Sequence, residues 1–301
     1  MTARERAPAD DEAPAAARLS VEGLVVEFGG LRAVAGVDLA AEPGEIVGLI
    51  GPNGSGKTTL LDAVSGVVTP AAGRVVLDGE DVADYLPEER AGLGIVRSYQ
   101  DCRLFPELTV EDTLLVVADA GRRAGVLATT LQLPGARRAE RDKRAAVSRV
   151  IGAMSLEPFR HHRTTELSTG TRRVVDLAAV VLARPRLLLL DEPTSGIAQR
   201  EAEAFVPLLR RLHEVTGSTI VLVEHDVPLV FALCTRVAVM EAGRVVSVGD
   251  PDTVRRDPTA LAAYLGASEE ALVITGALAG PKGPAAGGAA ADGSSRPAPG
   301  P

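Results

Sequence analysis

"EIVGLIGPNGSGKTTLLDAVSGVV", Glu45–Val68, decides how the rest of the 301-residue chain is read. Its first six residues, apolar after Glu45, have the pattern of a short strand buried on both faces. Gly51, Pro52, Asn53, Gly54, Ser55, Gly56, Lys57, Thr58 and Thr59 then satisfy G-x-x-x-x-G-K-[ST] in full. Thr58–Val68 reads as the helix that this loop opens, and strand, glycine loop and helix in that order are the context the pattern requires. Glycines let backbone N–H groups approach phosphate oxygens, and the helix N-terminus adds a field favourable to anions. Lys57 can reach β- and γ-phosphates, and the Thr58 hydroxyl can ligate Mg²⁺. The stretch predicts a nucleoside triphosphate site.

Such a site needs acids to hold the metal and to activate water. "LLLLDEP", Leu187–Pro193, sets Asp191 at the end of a buried strand, where it can hold Mg²⁺ through water. Glu192 can polarise the attacking water or accept its proton. "TIVLVEH" ends a second strand on His225, an imidazole able to bind a γ-phosphate oxygen or to orient Glu192 and water. Gln100, after "GIVRSY", can approach Mg²⁺ or that water. "LSTGTRR", Leu167–Arg173, has the form of a nucleotide-contacting turn before a helix, with Ser168 as its cap.

Around these motifs, "LSVEGLVVEF" alternates as a strand and "GRVVLDGEDV" returns as strand and turn. Residues from about 107 to 165 are helical in pattern, and strand signals resume at "RLLLLDE", "STIVLVEH", "RVAVMEAG" and "RVVSVGD". Strands alternating with helices predict an α/β fold with a mostly parallel sheet covered on both faces, and the long helical piece reads as a second lobe. The Ala/Pro/charge-rich residues 1–18 and the Gly/Pro/Ala-rich residues 268–301 are expected to be disordered tails on one folded unit, 19–267.

Composition narrows the function. A net charge of -8 argues against a large nucleic-acid surface. Cys102 and Cys234 share no metal-like spacing and read as thiols in a reducing compartment. The first 18 residues lack the apolar core of a targeting segment, and the apolar runs fall short of a membrane span. A role at a membrane therefore requires spanning helices from another chain. Basic residues in 135–150 are broken by Glu140 and Asp142 and read as a solvated helix face. His161 and His162 are adjacent, so on a helix they would point apart rather than share a metal.

From 19 to 267 the ordered set of motifs resembles the nucleotide-binding subunits of ATP-binding cassette transporters. The resemblance implies a P-loop NTPase core with an antiparallel β subdomain and a helical signature subdomain at about 107–180. It implies that Phe28 stacks on adenine and that Gly51–Thr59 hold the phosphates. Thr58, Gln100 and Asp191 would serve Mg²⁺, with Glu192, His225 and Gln100 in the catalytic set. Leu167, Ser168, Thr169, Gly170 and Thr171 would form the signature, meeting ATP across a dimer. ATP and Mg²⁺ are the implied cofactors. A second ATPase subunit (identical or different), integral membrane permeases and an extracytoplasmic substrate-binding protein are the implied partners, with no nucleic acid. The implied location is the cytoplasmic face of the cell membrane, held peripherally.

Two longer stretches, "GIVRSYQDCRLFPELTVEDTLLV" and the closing segment that ends Ala263–Gly266, resemble the branched-chain amino acid transporter ATPases. Import of branched-chain or related amino acids is the implied function. Urea/amide importers and lipopolysaccharide-type exporters share much of the pattern, whereas a non-transport cassette protein would carry a second cassette or a coiled-coil insertion. Two departures stand out. Thr169 and Thr171 replace Gly and Gln of the usual signature, and Ala198 stands where relatives carry an Asp that braces the dimer.

Overall fold

The computed structural model describes residues 14–98, 104–120, 134–196 and 199–265. Gln100, Cys102, Ala198, residues 1–13 and the C-terminal segment 268–301 lie outside them. Among the described residues ten strands run in chain order: β1 Leu19–Phe28, β2 Leu31–Ala41, β3 Ile46–Ile50, β4 Ala72–Leu77, β5 Glu80–Asp81, β6 Ile95–Arg97, β7 Leu187–Asp191, β8 Thr219–Val223, β9 Arg236–Glu241 and β10 Arg244–Gly249. The described helices are α1 Lys57–Ser65, α2 Pro87–Gly92, α3 Val110–Ala120, α4 Pro134–Ala153, α5 Thr169–Leu182, α6 Gln199–Thr216, α7 Val227–Leu233, α8 Pro251–Arg256 and α9 Pro258–Leu265.

The strands divide between two sheets. A four-stranded antiparallel sheet has the order β2-β1-β4-β5, and a six-stranded sheet the order β10-β9-β3-β8-β7-β6. In the larger sheet β9, β3, β8, β7 and β6 are parallel, and β10 adds an antiparallel edge. This is the expected α/β architecture with its smaller antiparallel part.

The continuous apolar runs follow from burial on both faces of this sheet. Side chains alternate along a strand, so each run splits between two cores. Val47, Leu49, Leu187, Leu189, Val221 and Val223 join α1, β1, β2 and β4 in one core. Ile46, Ile50, Leu188, Leu190, Ile220 and Leu222 face the helices of the other. That second core includes Val110 and Leu114 of α3, Val147 and Ile151 of α4, and Val175 of α5. Along α4, Arg137, Arg138, Arg141 and Arg144 are exposed and Glu140 pairs with Arg144 at 2.9 Å, a solvated face, whereas the largely buried Lys143 joins Glu140 to Asp119 of α3.

The packed chain begins slightly ahead of Leu19. Ala17 is buried, and its N–H donates to Arg186 O at 3.1 Å. No described helix is long and apolar enough to cross a membrane. The parallel register pairs Leu49 with Val223 and Asp191 with Val223, so β3, β7 and β8 end side by side. Their following loops emerge at one sheet edge, the carboxyl edge where open α/β sheets bind ligands.

Candidate active site

The loop after β3 turns back through backbone conformations that need glycine. Gly51 has φ 153°, and a Cβ there would stand 2.1 Å from Met240 O. Gly56 has φ 102° and would place a Cβ 2.4 Å from Ala33 O. Gly56 is also the N-cap of α1, and no side chain caps that helix. The first-turn N–H groups thus carry the partial positive end of the helix without a side-chain acceptor. Ser55 Oγ, inside the loop, is buried and has no hydrogen-bond partner among the described residues. Lys57 is 5% exposed, and its Nζ donates to Gly51 O at 2.7 Å and Pro52 O at 3.0 Å, which holds the ammonium over the loop. Uncapped helix terminus, orphaned hydroxyl and poised ammonium together fit a polyphosphate.

Beside the loop, Asp191 is buried at the end of β7. Thr58 Oγ1 donates to its Oδ1 at 3.4 Å, and Arg97 donates to its Oδ2 at 2.9 Å. Burial pushes the Asp191 carboxyl above the usual range, and the Arg97 guanidinium opposes that shift. A hydroxyl beside a carboxylate is a hard oxygen donor set suited to Mg²⁺. Arg97 also pairs with Asp62 of α1 and donates to Ser65 Oγ at 3.3 Å. It therefore braces Asp191 against α1, the helix that follows the glycine loop. Sequence reading missed this role; the available signal was a cation ending β6 three residues ahead of Gln100.

The next residue, Glu192, has φ 47°, the left-handed region that a non-glycine residue enters only when its surroundings hold it there. Its N–H donates to Val223 O at 2.9 Å, and Ser195 N donates back to Glu192 O at 3.0 Å. This turn swings the side chain toward β8, where Glu192 Oε1 lies 2.6 Å from His225 Nε2. Two residues 33 positions apart are thereby joined in one acid–imidazole pair. Such a pair can take a proton from water and hold it in a defined direction.

The signature turn belongs to a different part of the molecule. Leu167 is buried in the helical core and serves packing. Ser168 caps α5, accepting from Thr171 N at 3.2 Å, and its hydroxyl also bonds the Thr171 hydroxyl at 2.9 Å. Thr171 is thus tied to the cap. Thr169 is exposed and Gly170 half-buried. Because α5 packs in the opposite core from α1, the helices that follow the signature turn and the glycine loop lie on opposite faces of the large sheet. Arg173 of α5 donates to Ser195 O at 3.3 Å, linking the signature helix to the turn after Glu192. Phe28 is 49% exposed at the end of β1, so its ring is open to a planar ligand. Asn53, Gly54 and Thr59 lie with the loop and first turn described above, while Gln100 falls outside the described residues.

The protein-family model described as ABC transporter matches residues 34–195. The chain is 35% identical to the high-affinity branched-chain amino acid transport ATP-binding protein BraF of Pseudomonas aeruginosa, covering 82% of this chain and 97% of that protein. It is 34% identical, over the same shares, to LivG, the protein of the same description in Escherichia coli K12. Among solved structures, a nucleotide-free ATP-binding cassette from an ABC transporter superposes with a TM-score of 0.70 at 25% identity, covering 82% of this chain and 98% of that one.

Proposed function

We propose, on the premise that this chain belongs to the ABC transporter family of ATP-binding subunits, that the transport it energises is import of branched-chain or related amino acids. The chain is an ATP-hydrolysing subunit of such a transporter, and ATP and Mg²⁺ are its cofactors. The cargo reading is carried by one observation: the match to the branched-chain amino acid ATP-binding proteins extends over 97% of their length.

In this reading the loop Gly51–Thr59 and Lys57 bind the phosphates, and Phe28 stacks on the adenine. Thr58, Asp191 and Gln100 hold Mg²⁺, which neutralises phosphate charge when bound. Glu192 accepts a proton as the water oxygen attacks the γ-phosphorus and the bond to the bridging oxygen breaks, giving ADP and phosphate. His225 orients Glu192 and the γ-phosphate. The 2.6 Å contact between Glu192 and His225 supports this division of work.

A second ATPase subunit supplies its signature turn, Leu167–Thr171, across the interface. The packing of α1 and of the signature helix α5 on opposite sheet faces supports that arrangement. Closure over ATP then moves the permease subunits, because ATP binds the closed pair better than the open one. An extracytoplasmic binding protein delivers the cargo, and the subunit works peripherally at the cytoplasmic face.

The test is to purify the chain with its associated membrane subunits and measure ATP hydrolysis in liposomes. Leucine, isoleucine or valine with the cognate binding protein should stimulate turnover several-fold. Stimulation by a lipid-linked substrate instead, or by urea, would overturn the cargo assignment and leave the ATPase intact.

A further inference from the structure

Glu224 has no part in the chemistry above, yet it is only 2% exposed and both carboxylate oxygens are engaged. Its Oε1 accepts the Thr194 N–H at 2.9 Å and the Thr194 hydroxyl at 2.6 Å. Its Oε2 accepts the His225 N–H at 3.1 Å. Thr194 lies within the Glu192–Ser195 turn, and His225 directly follows Glu224. One carboxylate therefore fastens together the two backbone segments that carry the acid–imidazole pair.

Burying a carboxylate is unfavourable, and burial pushes Glu224 above the usual range against the pull of its Thr194 and His225 donors. An apolar residue at this strand end would fill the same space without that penalty. What the carboxylate adds is geometry. The Glu192 backbone is held in a left-handed conformation that relaxes unless its neighbours fix it. Of the three residues following Glu192 in that turn, Thr194 is the one bonded twice to Glu224.

We propose that Glu224 is a positioning residue that sets the Glu192–His225 pair by tying the Glu192–Ser195 turn to the backbone of His225. The inference rests on the catalytic reading of Glu192 and His225 given under the proposed function. Loosening the tie leaves the phosphate loop in place but widens the range of Glu192–His225 separations. Turnover then falls while nucleotide binding persists.

The experiment compares full chains carrying Glu224→Ala, Thr194→Val, His225→Ala, and the double change Glu224→Ala with His225→Ala. ATP turnover and equilibrium binding of ATP with Mg²⁺ are measured for each. Glu224→Ala should lower kcat about tenfold to a hundredfold, less than the roughly 100- to 10,000-fold that a general acid–base group itself contributes, and leave ATP affinity within about twofold. In the His225→Ala background it should add no further loss, because residues acting as one unit are not additive. Thr194→Val removes the hydroxyl bond, nearly preserves volume and keeps the backbone bond. It should give a smaller loss with the same non-additivity, and it carries the test if Glu224→Ala does not fold. Full kcat in either variant, or a double variant whose loss equals the product of the single losses, overturns the positioning role. An unchanged rate in His225→Ala overturns instead the catalytic reading on which it stands.

Discussion

Gly56 shows how much a single residue carries at this site. It must adopt a left-handed conformation, pass within 2.4 Å (for a built Cβ) of Ala33 O, and leave the N-terminus of α1 open. Gly56→Ala meets both backbone strain and a backbone clash, each a cost of about 1–3 kcal/mol. The expected outcome is a fold weakened by about 2–4 kcal/mol in urea denaturation, with ATP binding lost alongside. A variant of unchanged stability would mean that the loop does not take this path. Glu192 is strained in a similar way at φ 47°, but there the surroundings, not the residue type, supply the hold. The glycines were legible in sequence because only glycine satisfies that backbone. The strain at Glu192 was not, because nothing in Asp-Glu-Pro fixes a positive φ.

At the scale of elements, α5 is set by its two ends. Ser168 caps its start, and Arg173 reaches from its first turns to Ser195 O. Between them and the core, burial pushes the Asp176 carboxyl up to about 6, with Arg173 opposing. A carboxyl raised in the folded state keeps its proton there at pH values where the unfolded chain has lost it. Its contribution to stability is therefore fully present below the ordinary carboxylate range and is lost as pH rises through about 6. Asp176→Asn removes this loss. The melting temperature of that variant should exceed wild type by about 2–4 °C or more at pH 8 and match it near pH 4. Equal melting temperatures at both pH values would show that Asp176 is solvated. The Ser168 cap of this helix was readable in the sequence, whereas the identity of the neighbours that bury Asp176 was not.

The whole molecule packs α1 and the signature helix α5 against opposite faces of one sheet, and the proposed pairing of two chains around each nucleotide builds on that division. Glu192→Gln should slow hydrolysis enough to trap the closed pair, and sedimentation with ATP and Mg²⁺ should show a dimer that ADP does not support. A chain that stays monomeric with ATP and still turns it over would refute the paired arrangement. In that background, restoring Thr171→Gln and Ala198→Asp together should strengthen dimerisation. No change would make both departures neutral. Thr171 has a structural basis for the difference: its hydroxyl is held by Ser168, where a glutamine would extend past the cap.

Sequence alone determined the strand–loop–helix unit, the acid pair within "LLLLDEP", the histidine that follows β8 and the α/β class. Each rests on chemistry confined to a few consecutive residues: phosphate approach demands glycines at fixed spacing, and burial on both faces demands an unbroken apolar run. Tertiary structure decided the rest. The four leucines of β7 divide between two cores only because helices cover one face and α1 with the antiparallel sheet covers the other. Arg97 became the brace of Asp191, and Glu224 the tie between Thr194 and His225, only once β6, β7 and β8 were laid side by side. A buried charge takes its meaning from its partners, and those partners stand 94 and 30 residues away in the chain, brought within hydrogen-bonding distance by the parallel register of the sheet.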